Sequence, residues 1–108
     1  MDQLKITERE GANYKFYELD GALTAYTMGE FQPKLYSSVL KSNVVLDMEH
    51  LTDLDSSGIG LLMSAFNDSV EKGLKLYFLS MSPEADRALT ETGFKSEFNL
   101  ISSLTEAL

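Results

Sequence analysis

The stretch Leu51-Thr52-Asp53-Leu54-Asp55-Ser56-Ser57-Gly58-Ile59-Gly60-Leu61-Leu62 decides how the rest of the chain is read. Ahead of it, Val44-Val45-Leu46-Asp47-Met48 is short, β-branched and nearly continuous in apolar residues, the pattern of a strand covered on both faces. Behind it, Ile59, Leu62, Met63, Phe66 and Val70 recur at helical spacing, with Leu61 and Ala65 widening the stripe, until Lys72-Gly73 ends the helix. Leu74 to Leu79 is again a buried-strand run. Strand, helix and strand joined by short connections predict a right-handed parallel unit. The quoted stretch is therefore a loop joining the first strand of that unit to the most apolar helix of the chain. Carboxylates, hydroxyls and then glycines follow one another there, so a working site is expected at this junction.

Towards the N-terminus, Leu4 and Ile6 alternate with Lys5 and Thr7, Glu10 to Asn13 supplies turn residues, and Tyr14 to Leu19 is aromatic-rich. This reads as an antiparallel hairpin. Thr27 with Glu30 makes a possible capping box, and Met28, Phe31, Leu35 and Val39 follow at helical spacing. Pro33 would break a regular helix around it, so the helix is expected to start near Phe31 after a looser turn. Towards the C-terminus, Ser82 as N-cap and Pro83 at the first helical position open a third helix through Ala85 and Leu89, which Gly93 can stop. Phe98 to Ile101 reads as a short edge strand, and Ser103 with Glu106 caps a last helical turn or two. The order is ββαβαβαβα, an α/β fold with a mixed, mostly parallel sheet and helices packed on it.

The chain of 108 residues, 44% of them hydrophobic, has the size of a single domain, and residues 1–108 are read as one. Without cysteine, thiolate chemistry and disulfides are excluded, and a reduced, cytoplasmic setting is expected. Met1-Asp2-Gln3-Leu4-Lys5 does not build a signal-peptide core, and no apolar run approaches membrane-spanning length, so a soluble protein away from membranes is expected. A formal charge of -8, from 17 acidic and 9 basic residues, opposes nucleic-acid binding and favours a basic partner surface, or serves solubility alone.

A helix that follows a parallel strand begins with unpaired N–H groups and a partial positive charge. A phosphate on Ser56 would meet both, so the junction can hold a phosphoserine of charge roughly -1.5 to -2. The plainer reading is that Asp55, Ser56 and Ser57 are good N-cap residues and nothing more. Enzymatic motifs are incomplete. Gly58-Ile59-Gly60 would need a third glycine at Met63 for a dinucleotide site, and no Gly-Lys-Ser/Thr run forms a P-loop. A hydrolytic triad would have to use His50, the single histidine, without a nucleophile elbow around Ser56. Asp47, Glu49, Asp53 and Asp55 offer oxygen ligands for magnesium, although strand alternation and loop exposure already explain separated carboxylates. No metal or cofactor is expected.

The run Leu51-x-x-Leu54-Asp55-Ser56-Ser57-Gly58-Ile59-Gly60-x-Leu62, with its preceding strand and Lys72-Gly73-Leu74-x-Leu76 behind it, resembles the anti-sigma factor antagonists of the STAS domain family. Leu19-Asp20-Gly21 to Leu23 and Thr92-Gly93-Phe94 also fall where that family has counterparts. The resemblance implies a binding switch and not an enzyme. It implies that Ser56 is phosphorylated by a partner that is both anti-sigma factor and ATP-dependent serine kinase, and dephosphorylated by a metal-dependent serine phosphatase. The unmodified antagonist would bind the kinase and release the sigma factor, so regulating transcription. Asp55 would shape the acceptor loop, Ser57 cap the helix, Gly58 permit close approach of the partner, and Ile59 belong to the same surface. Thr24 stands where many members carry an aspartate near the phosphoacceptor, keeping a hydroxyl but losing a charge. Two alternatives remain: a STAS module serving another signalling or lipid-handling system, or a small magnesium-dependent phosphoryl-transfer enzyme using the acidic loop.

Overall fold

The structure is a computed structural model that describes residues 3–107, so the reading of Met1 and Asp2 lies outside the described residues. Strand β1 (Leu4–Glu10) pairs antiparallel with β2 (Tyr14–Leu23), as its alternation predicts. Helix α1 (Phe31–Val39), β3 (Asn43–Leu54), α2 (Ser56–Glu71), β4 (Leu76–Leu79), α3 (Pro83–Glu91) and β5 (Asn99–Ile101) follow. Two short 3₁₀ turns, Lys95–Glu97 and Leu104–Ala107, flank β5, the second replacing the helical end expected from Ser103. The sheet order is β1-β2-β3-β4-β5, with β2 to β5 parallel. The mixed α/β fold expected from the sequence is the one observed.

Alternation along the strands sorts side chains onto two faces. Tyr17, Leu19, Val44, Leu46, Met48, Leu76 and Phe78 meet Phe31 and Leu35 of α1, Leu61, Leu62 and Ala65 of α2, and Ala85 and Leu89 of α3. Phe16, Val45 and Leu79 point the other way and pack beneath Ala107. Burial of each Leu or Phe in such a layer stabilises by about 1.5–3 kcal/mol. Tyr17 joins layers: its ring meets Phe31 edge-on at 5.5 Å, and its hydroxyl lies 2.6 Å from Ser38 Oγ.

Three expectations are corrected. The first strand of the parallel unit does not stop at Met48 but runs to Leu54, because β2 also continues past Leu19 and supplies Gly21, Ala22 and Leu23 as partners for Leu51, Asp53 and Leu54. Register shifts at Glu18/Asp20 and Gly21/Ala22 break the two-residue period there, which hid the pairing from pattern reading. Gly21 has φ +116 and a Cβ there would lie 2.1 Å from the Gln3 carbonyl, so this bend needs glycine. Second, the buried stripe of α2 is Gly58, Leu61, Leu62, Ala65 and Ser69, while Ile59, Met63 and Phe66 are half-buried at its margin and Val70 is exposed. Third, Thr27 and Glu30 form no capping box. The N-cap of α1 is Glu30 without a side-chain bond, and Thr27 Oγ1 instead donates to the Ala22 carbonyl at 2.6 Å.

Smaller elements follow their chemistry. Pro33 is the third residue of α1, where its missing N–H would have had no helical partner. Ser82 accepts from Ala85 N–H at 3.1 Å and caps α3 ahead of Pro83. Leu74 N–H donates to Ser69 at the end of α2, so β4 begins at Leu76 and not at Leu74. Phe98 stays outside β5 and meets Phe66 edge-on at 5.0 Å.

Glu106 closes the last turn by accepting from Ser102 N–H at 2.7 Å and Ser103 N–H at 2.9 Å. These backbone donors favour the charged form and hold its carboxyl below the usual range. Because the folded value is the lower one, the stability it adds is present above the ordinary carboxylate value. It is lost as pH falls through the lowered value. Amide-exchange protection of Ser102 and Ser103 should drop over that acidic window, and Glu106→Gln should remove the pH dependence. Protection that is flat with pH in the native chain would contradict this.

Candidate functional site

The parallel strands β2 and β3 end side by side at Leu23 and Leu54, and α2 begins two residues later, at Ser56. Asp55 takes extended backbone at φ -93 and ψ -178, which suits an N-cap. Its Oδ1 accepts from Gly58 N–H at 2.9 Å and its Oδ2 from Ala25 N–H at 3.1 Å. One carboxylate therefore caps α2 and also holds the β2–α1 turn against it. Asp55 fills the capping role expected of Ser57. Ser56 and Ser57 occupy the first two helical positions instead.

Gly58 is buried because the end of β2 crosses directly over it. A Cβ there would lie 2.4 Å from the Leu23 carbonyl oxygen and 2.8 Å from Leu54 Cδ1. Within the fold, the close approach at Gly58 is made by the chain's own backbone at Leu23. Ile59 N–H donates to the Asp55 carbonyl at 2.9 Å, the first helical bond. With Gly58 N–H on the Asp55 carboxylate, the N–H groups of Ser56 and Ser57 are left for an acceptor outside the helix. Ser56 is exposed, Ser57 partly so.

Thr24 lies beside this junction but is only 5% exposed, so its hydroxyl works inside the turn. Thr24 Oγ1 accepts from Tyr26 N–H at 3.2 Å, and Thr24 N–H donates to Thr27 Oγ1 at 2.9 Å. Sequence reading missed Ala25, whose part is played by a backbone N–H, and Tyr26, which is 96% exposed at the tip of the turn. The Thr24-x-x-Thr27 pair was the available signal, since hydroxyl residues at that spacing bond locally in turns.

The acidic residues considered for magnesium do not gather. Both Asp55 oxygens hold N–H groups, Asp47 Oδ1 accepts from Glu49 N–H at 3.1 Å, and among the described residues no three His, Asp or Glu side chains form a metal-binding group. His50 is exposed on β3 with Nε2 4.0 Å from Glu49. What the arrangement can do chemically is present the Ser56 hydroxyl on a fixed backbone, at a helix terminus that favours an anion.

The STAS domain family model matches residues 3–107. The chain belongs to the STAS domain family. Among solved STAS-fold structures it is similar to an anti-sigma factor antagonist from Mycobacterium paratuberculosis, at 17% identity over 96% of this chain and 90% of that one, with a TM-score of 0.82. The anti-sigma factor antagonist SpoIIAA in its unphosphorylated form matches at 15% identity over 95% and 93% of the two chains, TM-score 0.78. The Bacillus cell fate determinant SpoIIAA in its phosphorylated form matches at 15% over 95% and 96%, TM-score 0.74. At these identities the likeness is one of fold. Among the described residues no helix of this STAS domain is long and apolar enough to cross a membrane.

Proposed function

We propose that this STAS domain is an anti-sigma factor antagonist, a non-enzymatic binding module switched by phosphorylation of Ser56. The observation that carries the reading is the exposed Ser56 at the first position of α2, directly after an N-cap whose two oxygens fix both the helix and the neighbouring turn. Unphosphorylated, the module binds an anti-sigma factor that is also a serine kinase, in the cytoplasm, and frees the sigma factor. A metal-dependent serine phosphatase resets it. Thr24, Asp55, Ser57, Gly58 and Ile59 build the surface around the acceptor, with Thr24 and Gly58 acting through the backbone they hold in place.

The phosphate acts by electrostatics. A group of charge roughly -1.5 to -2 replaces a neutral hydroxyl, and closing an interface over it requires its desolvation. It can remain on the folded module because the Ser56 and Ser57 N–H groups and the helix dipole favour it. Binding lost in this way is tenfold for each roughly 1.4 kcal/mol.

Incubation with the candidate kinase and ATP, followed by mass-spectrometric mapping, should place one phosphate on Ser56 and weaken kinase binding at least about tenfold, roughly 1.4 kcal/mol. Ser56→Ala should stay bound under the same treatment. Phosphate at another residue, or loss of Ser56→Ala binding on ATP treatment, would sink the proposal. A kinase-independent STAS role would show as unaltered binding to the chain's other partners after phosphorylation.

A further inference from the structure

Among the described residues Tyr26 is the most exposed large hydrophobic, 96% accessible where the next, Val70, is 58%. A single exposed aromatic is ordinary on a protein surface, but the backbone beneath this one is unusually well tied. Tyr26 N–H donates to Thr24 Oγ1 at 3.2 Å, and Thr27 and Met28 N–H donate to the Thr24 carbonyl at 3.1 and 3.0 Å. Thr27 Oγ1 donates to Ala22, and the preceding residue, Ala25, is bonded to Asp55 itself. An aromatic ring thus stands in water on a fixed turn, one residue from the tether to the Ser56 junction. That is the condition for an interface anchor: large apolar area, few rotatable bonds and little backbone order left to lose on binding.

The surrounding charge indicates what the ring meets. Asp20, Glu30, Glu49 and Asp53 are exposed on the same end of the domain, with Asp20 paired to His50 and Asp53 to Ala22 in the β2–β3 register. Resting on the phosphorylation-switch reading, we infer that Tyr26 is the anchor by which the kinase docks, entering an apolar slot with a basic rim on that partner. The turn therefore carries affinity, and Ser56 carries the veto. Phosphate on Ser56 would leave the anchor in place, so it acts by the desolvation cost at Ser56 and not by displacing Tyr26.

The test uses the purified kinase that phosphorylates Ser56, titrated calorimetrically with the native domain, Tyr26→Ala and Tyr26→Phe. Tyr26→Ala should bind at least about tenfold more weakly, roughly 1.4 kcal/mol. Its melting midpoint should stay within about 2 °C of native, since the ring supports nothing in the fold. Tyr26→Phe should recover most of the affinity, and native binding should weaken as salt rises. If the native domain binds and is phosphorylated but Tyr26→Ala binds within about twofold of it, the anchor is refuted and the switch stands. Salt-insensitive binding would refute the basic rim. If no kinase binds the native domain or labels Ser56, the switch fails and the anchor falls with it.

Discussion

Gly58→Ala is expected to lower the melting midpoint by roughly 10–20 °C, whereas Gly60→Ala, two residues along the same helix, should leave it unchanged or raise it. The difference comes from what each new methyl would meet. At Gly58 it would lie 2.4 Å from the Leu23 carbonyl oxygen and 2.8 Å from Leu54 Cδ1, both part of the buried end of the sheet. A backbone oxygen cannot rotate away as a side chain can. Relief requires α2 to lift off β2, which also stretches the 3.4 Å bond from Asp55 N–H to that carbonyl. Overpacking of a rigid site costs about 1–3 kcal/mol, and a backbone clash belongs at the upper end. At Gly60 a methyl meets nothing within 4 Å, and alanine in an exposed helical position stabilises by roughly 0.5–1 kcal/mol over glycine. Thermal unfolding followed by circular dichroism separates the pair. Equal destabilisation by both would show that helix flexibility, not the Leu23 contact, explains Gly58.

The contrast also marks how far sequence reaches. Element types were legible because periodicity records which face is buried: Val44 to Met48 reads as a covered strand, and Ser82-Pro83 as a helix start, and both are so. The long tail of β3 was not legible. Glu49, His50, Thr52 and Asp53 are exposed, and two register shifts in the pairing with β2 erase alternation where it would have been decisive. The helical stripe was displaced for a similar reason. Ile59, Met63 and Phe66 are apolar enough to count as core, yet the small residues Gly58, Ala65 and Ser69 face inward, because a helix lying close on a sheet needs little volume between them.

The Ser56 junction was legible in position but not in its division of labour. Hydroxyl and carboxylate types both favour helix caps, and sequence does not say which of Asp55, Ser56 or Ser57 holds the extended backbone of a cap. The answer depends on Ala25, thirty positions away, offering the second donor that only a two-oxygen acceptor can hold. Once Asp55 is the cap, Ser56 is pushed to the first helical position, and its hydroxyl is not spent on the fold.

Asp55→Ala should therefore cost about 2 kcal/mol of stability, combining a lost N-cap, typically about 1 kcal/mol, with the loss of the bond to the turn. Asp55→Asn separates these contributions. An amide has one accepting oxygen, and its nitrogen can only donate, so it cannot accept from both Gly58 N–H and Ala25 N–H. The oxygen is expected to stay on Gly58 N–H, where the native bond is 2.9 Å against 3.1 Å to Ala25 and the helix end favours an acceptor. The variant should melt between the native domain and Asp55→Ala, roughly 4–8 °C below native for the one bond lost, while the Ala25 amide loses protection in hydrogen exchange. Under the switch proposal its kinase affinity should fall with the turn released, although α2 and Ser56 remain in place. Asp55→Asn melting as low as Asp55→Ala would mean that the second oxygen, and not the cap, holds the junction. Native kinase affinity in a variant with an unprotected Ala25 amide would mean that the β2–α1 turn need not be fixed for the partner to read Ser56.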